Sequence, residues 1–350
     1  FLSYDGKEMP GAKARCYDFA EKLSKLDIKT EVFSFKDDLN ASYHGPYSRK
    51  TSNFERLKLL LKATKHMMKE DKQTIIFVHK AGFHCMAAVF LHWLKGNKLI
   101  MDYDDYEYES SLLSKFFFNR MIKNSEICIA ASRALEKFLK TKTNKPVFYL
   151  PAGTDAGIFK PKKTKKNKKI TFAWVGILGD KDALDNVLFI LDCFEELNKK
   201  VKNVKLELRA DGPYSDEVKE KISTENIKNV EIIGWVKDLS KYLSRIHIGL
   251  IPLVNKNMYN ASKSPGKFFQ YMSMELPVIC TDYGEPKNII SNGETGLIAK
   301  DKSEFIKSMI LLAKNSSLRK KLGQNARKLV LEKYDQKVLV RQLKEIINSI

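Results

Sequence analysis

The chain has 350 residues, 43% of them apolar and 30% charged, the make-up of a folded globular protein with room for two ordinary cores. No apolar run approaches the ~20 residues needed to span a bilayer, and the five cysteines (Cys16, Cys85, Cys128, Cys193, Cys280) are scattered without metal-ligand spacing, as suits free thiols in a reducing cytosol. The formal charge of +20 fits an anionic substrate, an anionic membrane, nucleic acid, or a lysine-rich solvated surface. Against nucleic acid, the six lysines between Lys162 and Lys169 have no interleaved aromatics on which bases would stack.

In chain order, Phe1 to Tyr4 reads as the end of a strand, so further residues or a targeting segment are expected upstream. Asp5-Gly6 through Pro10-Gly11 is a loop, and Ala12 to Leu26 has the period of a helix. A strand, a glycine loop and a helix start make an anion-friendly site, with backbone amides at Gly6 and Gly11 as candidates. Thr30 to Phe35 alternates as a second strand. Asn53 to Asp71 reads as an amphipathic helix, with Phe54, Leu57, Leu60, Leu61, Met67 and Met68 on one face and Arg56, Lys58, Lys62, Lys65 and Lys69 opposite. Such a basic helix lies on an anionic membrane or packs its apolar side on the sheet.

Thr74 to His79 is an apolar strand, followed by a helix from about His84 to Leu94 and a strand from Lys98 to Met101. Asp102 to Glu107 then forms an acidic loop. Asp102-Tyr103-Asp104 spells D-x-D, a spacing that can hold a metal; the alternatives are a cap for the next helix or a polar binding loop of Asp104, Asp105 and the neighbouring His79. Ser110 to Lys123 mixes phenylalanines with cations, suiting either a core helix or a surface for lipid or a lipid-linked acceptor. Glu126 to Ala130 is a strand, and Ser132 caps the helix Arg133 to Lys140. Lys160 to Lys169 reads as a linker.

The strand, glycine-loop and helix pattern then repeats: Ile170 to Val175, Gly176 to Lys181, and Asp185 to Lys199. Val204 to Arg209 leads into Ala210-Asp211-Gly212-Pro213, and Val230 to Ile233 into Gly234-Trp235-Val236. Ser262 to Lys300 is the most informative stretch. Pro265-Gly266 opens a helix from Lys267 to about Met274, Pro277 ends it, and Val278 to Thr281 is a short buried strand. Helices close the chain.

Ser264-Pro265-x-Lys267, Tyr271-Met272, Pro277-Val278-Ile279 and Asn292-Gly293-x-x-Gly296-Leu297 resemble the donor-binding motif of retaining GT-B glycosyltransferases of family 4. Val147 to Pro161 resembles that family's interdomain crossing, with Ala152 for the common Asn. The resemblance implies an α/β fold of the GT-B class, two Rossmann-like domains facing a cleft. It divides the chain into an acceptor domain over 1–158, a linker over 159–169, a donor domain over 170–328 and a closing helix over 329–350. It implies transfer of a sugar from a nucleoside-diphosphate sugar to a sugar, glycan or lipid-linked hydroxyl, without metal or other cofactor. The free cysteines suit a cytoplasmic setting, the basic stretches Asn53 to Asp71 and Ser110 to Lys123 suggest an anionic membrane face as a partner, and the donor motif with the lack of interleaved aromatics argues against nucleic acid. The donor would meet Lys181, Gly176, Lys267, Gln270, Ser264, Gly266, Gly212 and Trp235; Ser262 and the Asp104-Asp105 loop, with His79 beside it, would face the sugar. Gln270 and Ser262 stand where the family has Glu, Asn288 where Glu is common, Glu275 where Gly is usual, and Ile177 where Arg is usual. A donor-binding paralogue of weak activity, serving as a partner subunit, is the alternative these departures permit.

Overall fold

The computed structural model describes residues 1–42, 52–162, 164 and 166–350, so Lys163 and Lys165 of the expected linker lie outside the described residues. The chain forms two compact units. One comprises Phe1–Ala152 with Ser262–Ser264 and Gln336–Ile350; the other comprises Gly153–Ala261 and Pro265–Asp335.

The first unit holds a six-stranded sheet of β1 (Leu2–Ser3), β2 (Phe33–Ser34), β3 (Ile76–His79), β4 (Leu99–Tyr103), β5 (Ile127–Ala130) and β6 (Val147–Tyr149), in the order β2-β1-β3-β4-β5-β6. Every pairing is parallel. Apolar residues on both strand faces require cover on both sides. Phe77, Ile100, Ile127 and Ile129 pack against Phe19 and Leu23 and against Leu339 and Leu343 of the closing Gln336–Asn348 helix. On the other side, Tyr103 meets Phe118 edge-on, and helices Asn53–Met67, Cys85–Lys95 and Leu112–Asn124 lie side by side.

Two expectations here need correction. The second strand is only Phe33–Ser34, because Ser34 accepts the Asp37 N–H and caps a helix that begins at Phe35. In the Asn53–Met67 helix the buried stripe is Leu59, Ala63 and Met67, four residues apart, while Phe54, Leu57 and Leu61 stay exposed. The helix is therefore rotated from the expected face.

The second unit holds β7 (Ile170–Ile177), β8 (Val204–Asp211), β9 (Val230–Ile233), β10 (Ile248–Ile251), β11 (Val278–Thr281) and β12 (Leu297–Ala299), parallel in the order β12-β11-β10-β7-β8-β9. The order reverses between β7 and β10, the doubly wound topology. One sheet face packs on the long Lys181–Lys200 helix through Phe172, Leu206 and Leu250; the other packs on Phe268, Phe269, Tyr271 and Met272 of the Gly266–Ser273 helix. β7 and β8 each run two residues further than expected, so Gly176, Ala210 and Asp211 are strand residues and the loops begin later.

Candidate functional site

Parallel strands leave their carboxyl ends open where the order reverses, and ligands bind there. In the second unit, Gly176 lies at the end of β7 beneath the Trp174 indole, which a β-carbon there would meet at 2.1 Å. Gly212 follows β8 at φ 135°, and its missing β-carbon would stand 2.6 Å from the Leu178 carbonyl oxygen, so only glycine makes this turn. Pro265 is the N-cap of the Gly266–Ser273 helix and supplies no side-chain cap; the Phe268 N–H turns back to the Pro265 carbonyl at 2.9 Å, and the space beside Gly266 is open. Lys267 stands in that first turn with Nζ 5.9 Å from the Trp174 ring centroid. One turn on, the buried Oε1 of Gln270 has no hydrogen-bond partner among the described residues.

Arg209, at the carboxyl end of β8, was not anticipated. It is 6% exposed, its Nε lacks a partner among the described residues, and burial pulls its pKa below the ordinary value. Its guanidinium lies 4.2 Å from the ring centroid of Trp235, which is 67% exposed. In the sequence Arg209 alternates with Leu206 and Leu208 as Lys205 and Glu207 do, like a residue of an exposed face, so no local signal marked it.

Lys181 is differently placed. It is the exposed first residue of a helix whose N-terminus already carries Asp180, whose Oδ1 accepts the Ala183 N–H at 2.7 Å. Asp182 follows in the first turn, held by Asn255 and Asn260 at 2.6 and 3.0 Å. Two carboxylates at that helix start make it a poorer anion site than the uncapped start at Gly266.

In the first unit the order reverses between β1 and β3. Here His79, at the end of β3, bridges the two strands: its Nδ1 is 3.4 Å from Ser3 Oγ, and its Nε2 is 3.0 Å from Asp104 Oδ2. Burial works against charge on His79, yet Asp104, with Asp102 beyond it, holds the imidazole above its ordinary value. Burial likewise opposes ionisation of Asp104, but His79 and Lys80 outweigh it and keep the carboxyl well below the usual range. The other oxygen, Oδ1, is buried without a partner among the described residues. Gly11 lies beside this pair: a β-carbon there would make ordinary contact at 3.5 Å from Asp104 and 3.9 Å from His79.

Asp105 pairs with Lys80 at 2.8 Å, and Lys80 itself sits at φ 65°, a left-handed conformation that costs a side chain about 1–2 kcal/mol. Asp102 receives the fully buried Arg15 through Nε at 2.8 Å and through a second guanidinium nitrogen, while a third donates to the Leu150 carbonyl at 2.8 Å. Arg15 occupies a π-turn, Lys13–Tyr17, and its long-range partner could not be read from local sequence. Both carboxylates of the D-x-D string are thus engaged by basic side chains of the protein itself, Asp102 by Arg15 and Asp104 by His79.

The Gly6 loop serves an internal anion: the Asp37 carboxylate fills the space over Gly6 and accepts the Lys7 N–H at 2.9 Å. Ser262 is fully buried, and Ser264 Oγ accepts the Ala152 N–H at 3.2 Å. Two cavities lie elsewhere, at the amino ends of strands: one beside Lys169 and Lys205, the other beside Phe1 and Thr74.

Two parallel six-stranded sheets of this kind define an α/β fold of the GT-B class. HepE of Anabaena, solved with UDP and glucose, aligns over 100% of this chain and 99% of its own with a TM-score of 0.78 at 13% identity. Sucrose-phosphate synthase from Thermosynechococcus elongatus aligns over 99% of this chain and 98% of its own, with a TM-score of 0.77 at 14% identity. More particularly, residues 169–315 match the family described as Glycosyl transferases group 1. Capsular polysaccharide biosynthesis glycosyltransferase CapM of Staphylococcus aureus is 26% identical over 123 residues, 35% of this chain. An uncharacterised glycosyltransferase of Methanocaldococcus jannaschii is 23% identical over 253 residues, 67% of this chain. The matches span 31% and 62% of those two relatives. Among the described residues no helix is long and apolar enough to cross a membrane.

Proposed function

We propose that this chain is a glycosyltransferase that moves a sugar from a nucleoside-diphosphate sugar to an acceptor hydroxyl with retention at the anomeric carbon, in the synthesis of a glycan, polysaccharide or glycolipid. The observation that carries the reading is the uncapped helix start at Pro265–Gly266, with Lys267 in its first turn and the unpartnered Gln270 oxygen one turn on. There the first-turn amides and Lys267 neutralise the diphosphate, and Gln270 bonds the ribose hydroxyls. Arg209 supplies a second cation where Ile177 leaves the expected arginine missing. Trp235, stacked on it, offers an aromatic face to the base.

In the transfer, the bond from the anomeric carbon to the phosphate oxygen breaks while that from the same carbon to the acceptor oxygen forms. The acceptor proton passes to the departing phosphate. The cations at the site stabilise that leaving charge electrostatically. No metal or other cofactor enters this reading; the internal pairing of Asp102 and Asp104 supports it. In the first unit, His79 and the free oxygen of Asp104 meet a sugar hydroxyl, with Asp105 held back by Lys80. The acceptor is a sugar, glycan or lipid-linked hydroxyl, the setting cytoplasmic, and the partner surface an anionic membrane.

A thermal-shift screen of UDP, GDP and ADP sugars tests donor binding, since a ligand raises apparent stability by mass action. Product configuration by NMR tests retention. The burial of Ser262 favours a second reading, a donor-binding subunit of weak activity. Donor binding without turnover on any acceptor would select it.

A further inference from the structure

Two segments flank the point in the second unit where the strand order reverses. One is the start of the Lys181–Lys200 helix, which follows β7; the other is Leu253–Asn260, which follows β10. Core packing does not set the shape of the second segment. Val254, Asn255, Met258 and Tyr259 along it are only half-buried, and Lys256 and Asn257 are exposed. Polar bonds set it instead.

Those bonds converge on one carboxylate. Asp182 Oδ1 accepts from the Nδ2 amides of Asn255 at 2.6 Å, Asn260 at 3.0 Å and Asn257 at 3.2 Å. The same helix start holds the segment at three further points. Asp185 Oδ2 also accepts from Asn255 Nδ2 at 2.9 Å, Asn186 Oδ1 accepts the Val254 N–H at 2.9 Å, and Asp180 Oδ2 accepts the Tyr259 hydroxyl at 3.0 Å. Inside the segment, the fully buried Asn260 donates its amide to the Asn255 carbonyl at 3.0 Å and its backbone N–H to Asn257 Oδ1 at 2.8 Å. At the strand end, Thr281 Oγ1 accepts the Leu253 N–H at 2.8 Å and donates to the Leu253 carbonyl at 3.1 Å.

Asp182 is not the cap of its own helix. Asp180 is the N-cap, and its Oδ1 accepts the Ala183 N–H. Hydrogen bonds to an ionised acceptor are the strong ones, and here three of them tie one segment to one side chain. Asn260 is followed five residues on by Pro265-Gly266, where the helix carrying Lys267 begins. A segment ordered before the ligand arrives adds no ordering cost when it binds.

We propose that Asp182 is a positioning residue of the donor site: by gathering the amides of Asn255, Asn257 and Asn260, it holds Leu253–Asn260 in the shape that donor binding requires. The inference rests on the donor site proposed at the Pro265–Gly266 helix start; the clasp itself stands on its bonds alone.

The test compares the parent chain with Asp182→Ala by calorimetric titration with UDP, GDP and ADP, and by limited trypsin cleavage after the exposed Lys256. Cleavage there reports local opening of the segment, which needs less free energy than global unfolding. Asp182→Ala should be cut after Lys256 on the order of tenfold faster. It should also bind whichever nucleotide the parent binds about tenfold more weakly, as when the competent shape is populated about a tenth of the time. Asp182→Asn keeps one accepting oxygen in place and should fall between. Asn255→Ala should reproduce the loss, and adding it to Asp182→Ala should weaken binding little further, because both substitutions break one clasp. Cleavage no faster than in the parent would overturn the clasp. Faster cleavage with unchanged nucleotide affinity would overturn the positioning role. So would a melting temperature of Asp182→Ala well below the parent's, combined with parent-like binding by Asp182→Asn and Asn255→Ala. If the parent binds none of the three nucleotides while cleavage still responds to Asp182, the donor reading fails and takes this role with it, but the clasp stands.

Discussion

Replacing Arg209 with Met should weaken donor binding while leaving the fold as stable as the parent or more so. The side chain is 6% exposed, its Nε has no partner among the described residues, and burial lowers its pKa. An unsatisfied buried donor costs about 1–3 kcal/mol. Met of similar length removes that cost and forfeits a cation–π contact with Trp235 worth about 0.5–1 kcal/mol. The net gain is then about 0–2.5 kcal/mol, and each kcal/mol raises the melting midpoint by about 2–4 °C in a domain of this size. Against this, losing a charge-assisted contact to a diphosphate costs about 1.5–3 kcal/mol, a factor of roughly ten to a hundred and fifty in Kd. Melting curves with and without nucleoside diphosphate, together with calorimetric titration, read both effects. Arg209→Lys keeps the charge without the planar stack and should fall between. If Arg209→Met binds nucleotide as tightly as the parent, or melts well below it, Arg209 is a structural residue and its place in the donor site is wrong.

Glu275 follows the Gly266–Ser273 helix at φ 57°, so Glu275→Gly should stabilise the chain by about 0.5–1.5 kcal/mol, measured as a shift in urea midpoint. Gly323→Ala should do the opposite by more than 2 kcal/mol on the order of a buried clash, because its β-carbon would stand 2.0 Å from the Glu275 carbonyl oxygen. Burial, with Lys166 and Arg319 nearby, brings the half-buried His247 down to about 4, and its Nδ1 accepts the Thr171 N–H at 3.1 Å. The unfolded imidazole binds a proton first, so stability should fall as pH drops from about 6.5 toward 4, by about 1–2 kcal/mol after screening, and His247→Asn should flatten that slope. The raised His79 works in the other direction: its contribution is full below its unfolded value near 6.5 and is lost as pH rises through the folded value, so His79→Gln should flatten the alkaline limb. Transfer should survive EDTA; complete loss restored by Mn²⁺ or Mg²⁺ would show that the carboxylates do hold a metal.

What could be read in advance follows from where local chemistry decides. The buried strand at Val278, the Ser132 cap and the helix opened by Pro265-Gly266 are written in a few adjacent residues, and all three stand. Lys205, Glu207 and Arg209 alternate with Val204, Leu206 and Leu208, which suggests one exposed face. Packing from the Gly266–Ser273 side leaves Glu207 at 3% and Arg209 at 6% exposed, so the alternation concealed a buried cation. Arg15 and Asp102 are 87 residues apart, and no local pattern pairs them. In the Asn53–Met67 helix, apolar residues exceed what one stripe buries. Periodicity therefore could not choose between Leu57 and Leu59 until the neighbouring helices fixed the rotation.

The most direct measurement is calorimetric titration of the parent and Lys267→Ala with UDP, GDP and ADP. Lys267 lies in the first turn of a helix without a side-chain cap, so its loss removes a cation from the diphosphate and leaves the core untouched. The account predicts that the parent binds at least one of the three. It also predicts that Lys267→Ala binds that nucleotide at least tenfold more weakly, on the order of one charge-assisted contact, with an unchanged melting temperature. Equal affinity in parent and variant, or no binding of any nucleoside diphosphate by the parent, would contradict it.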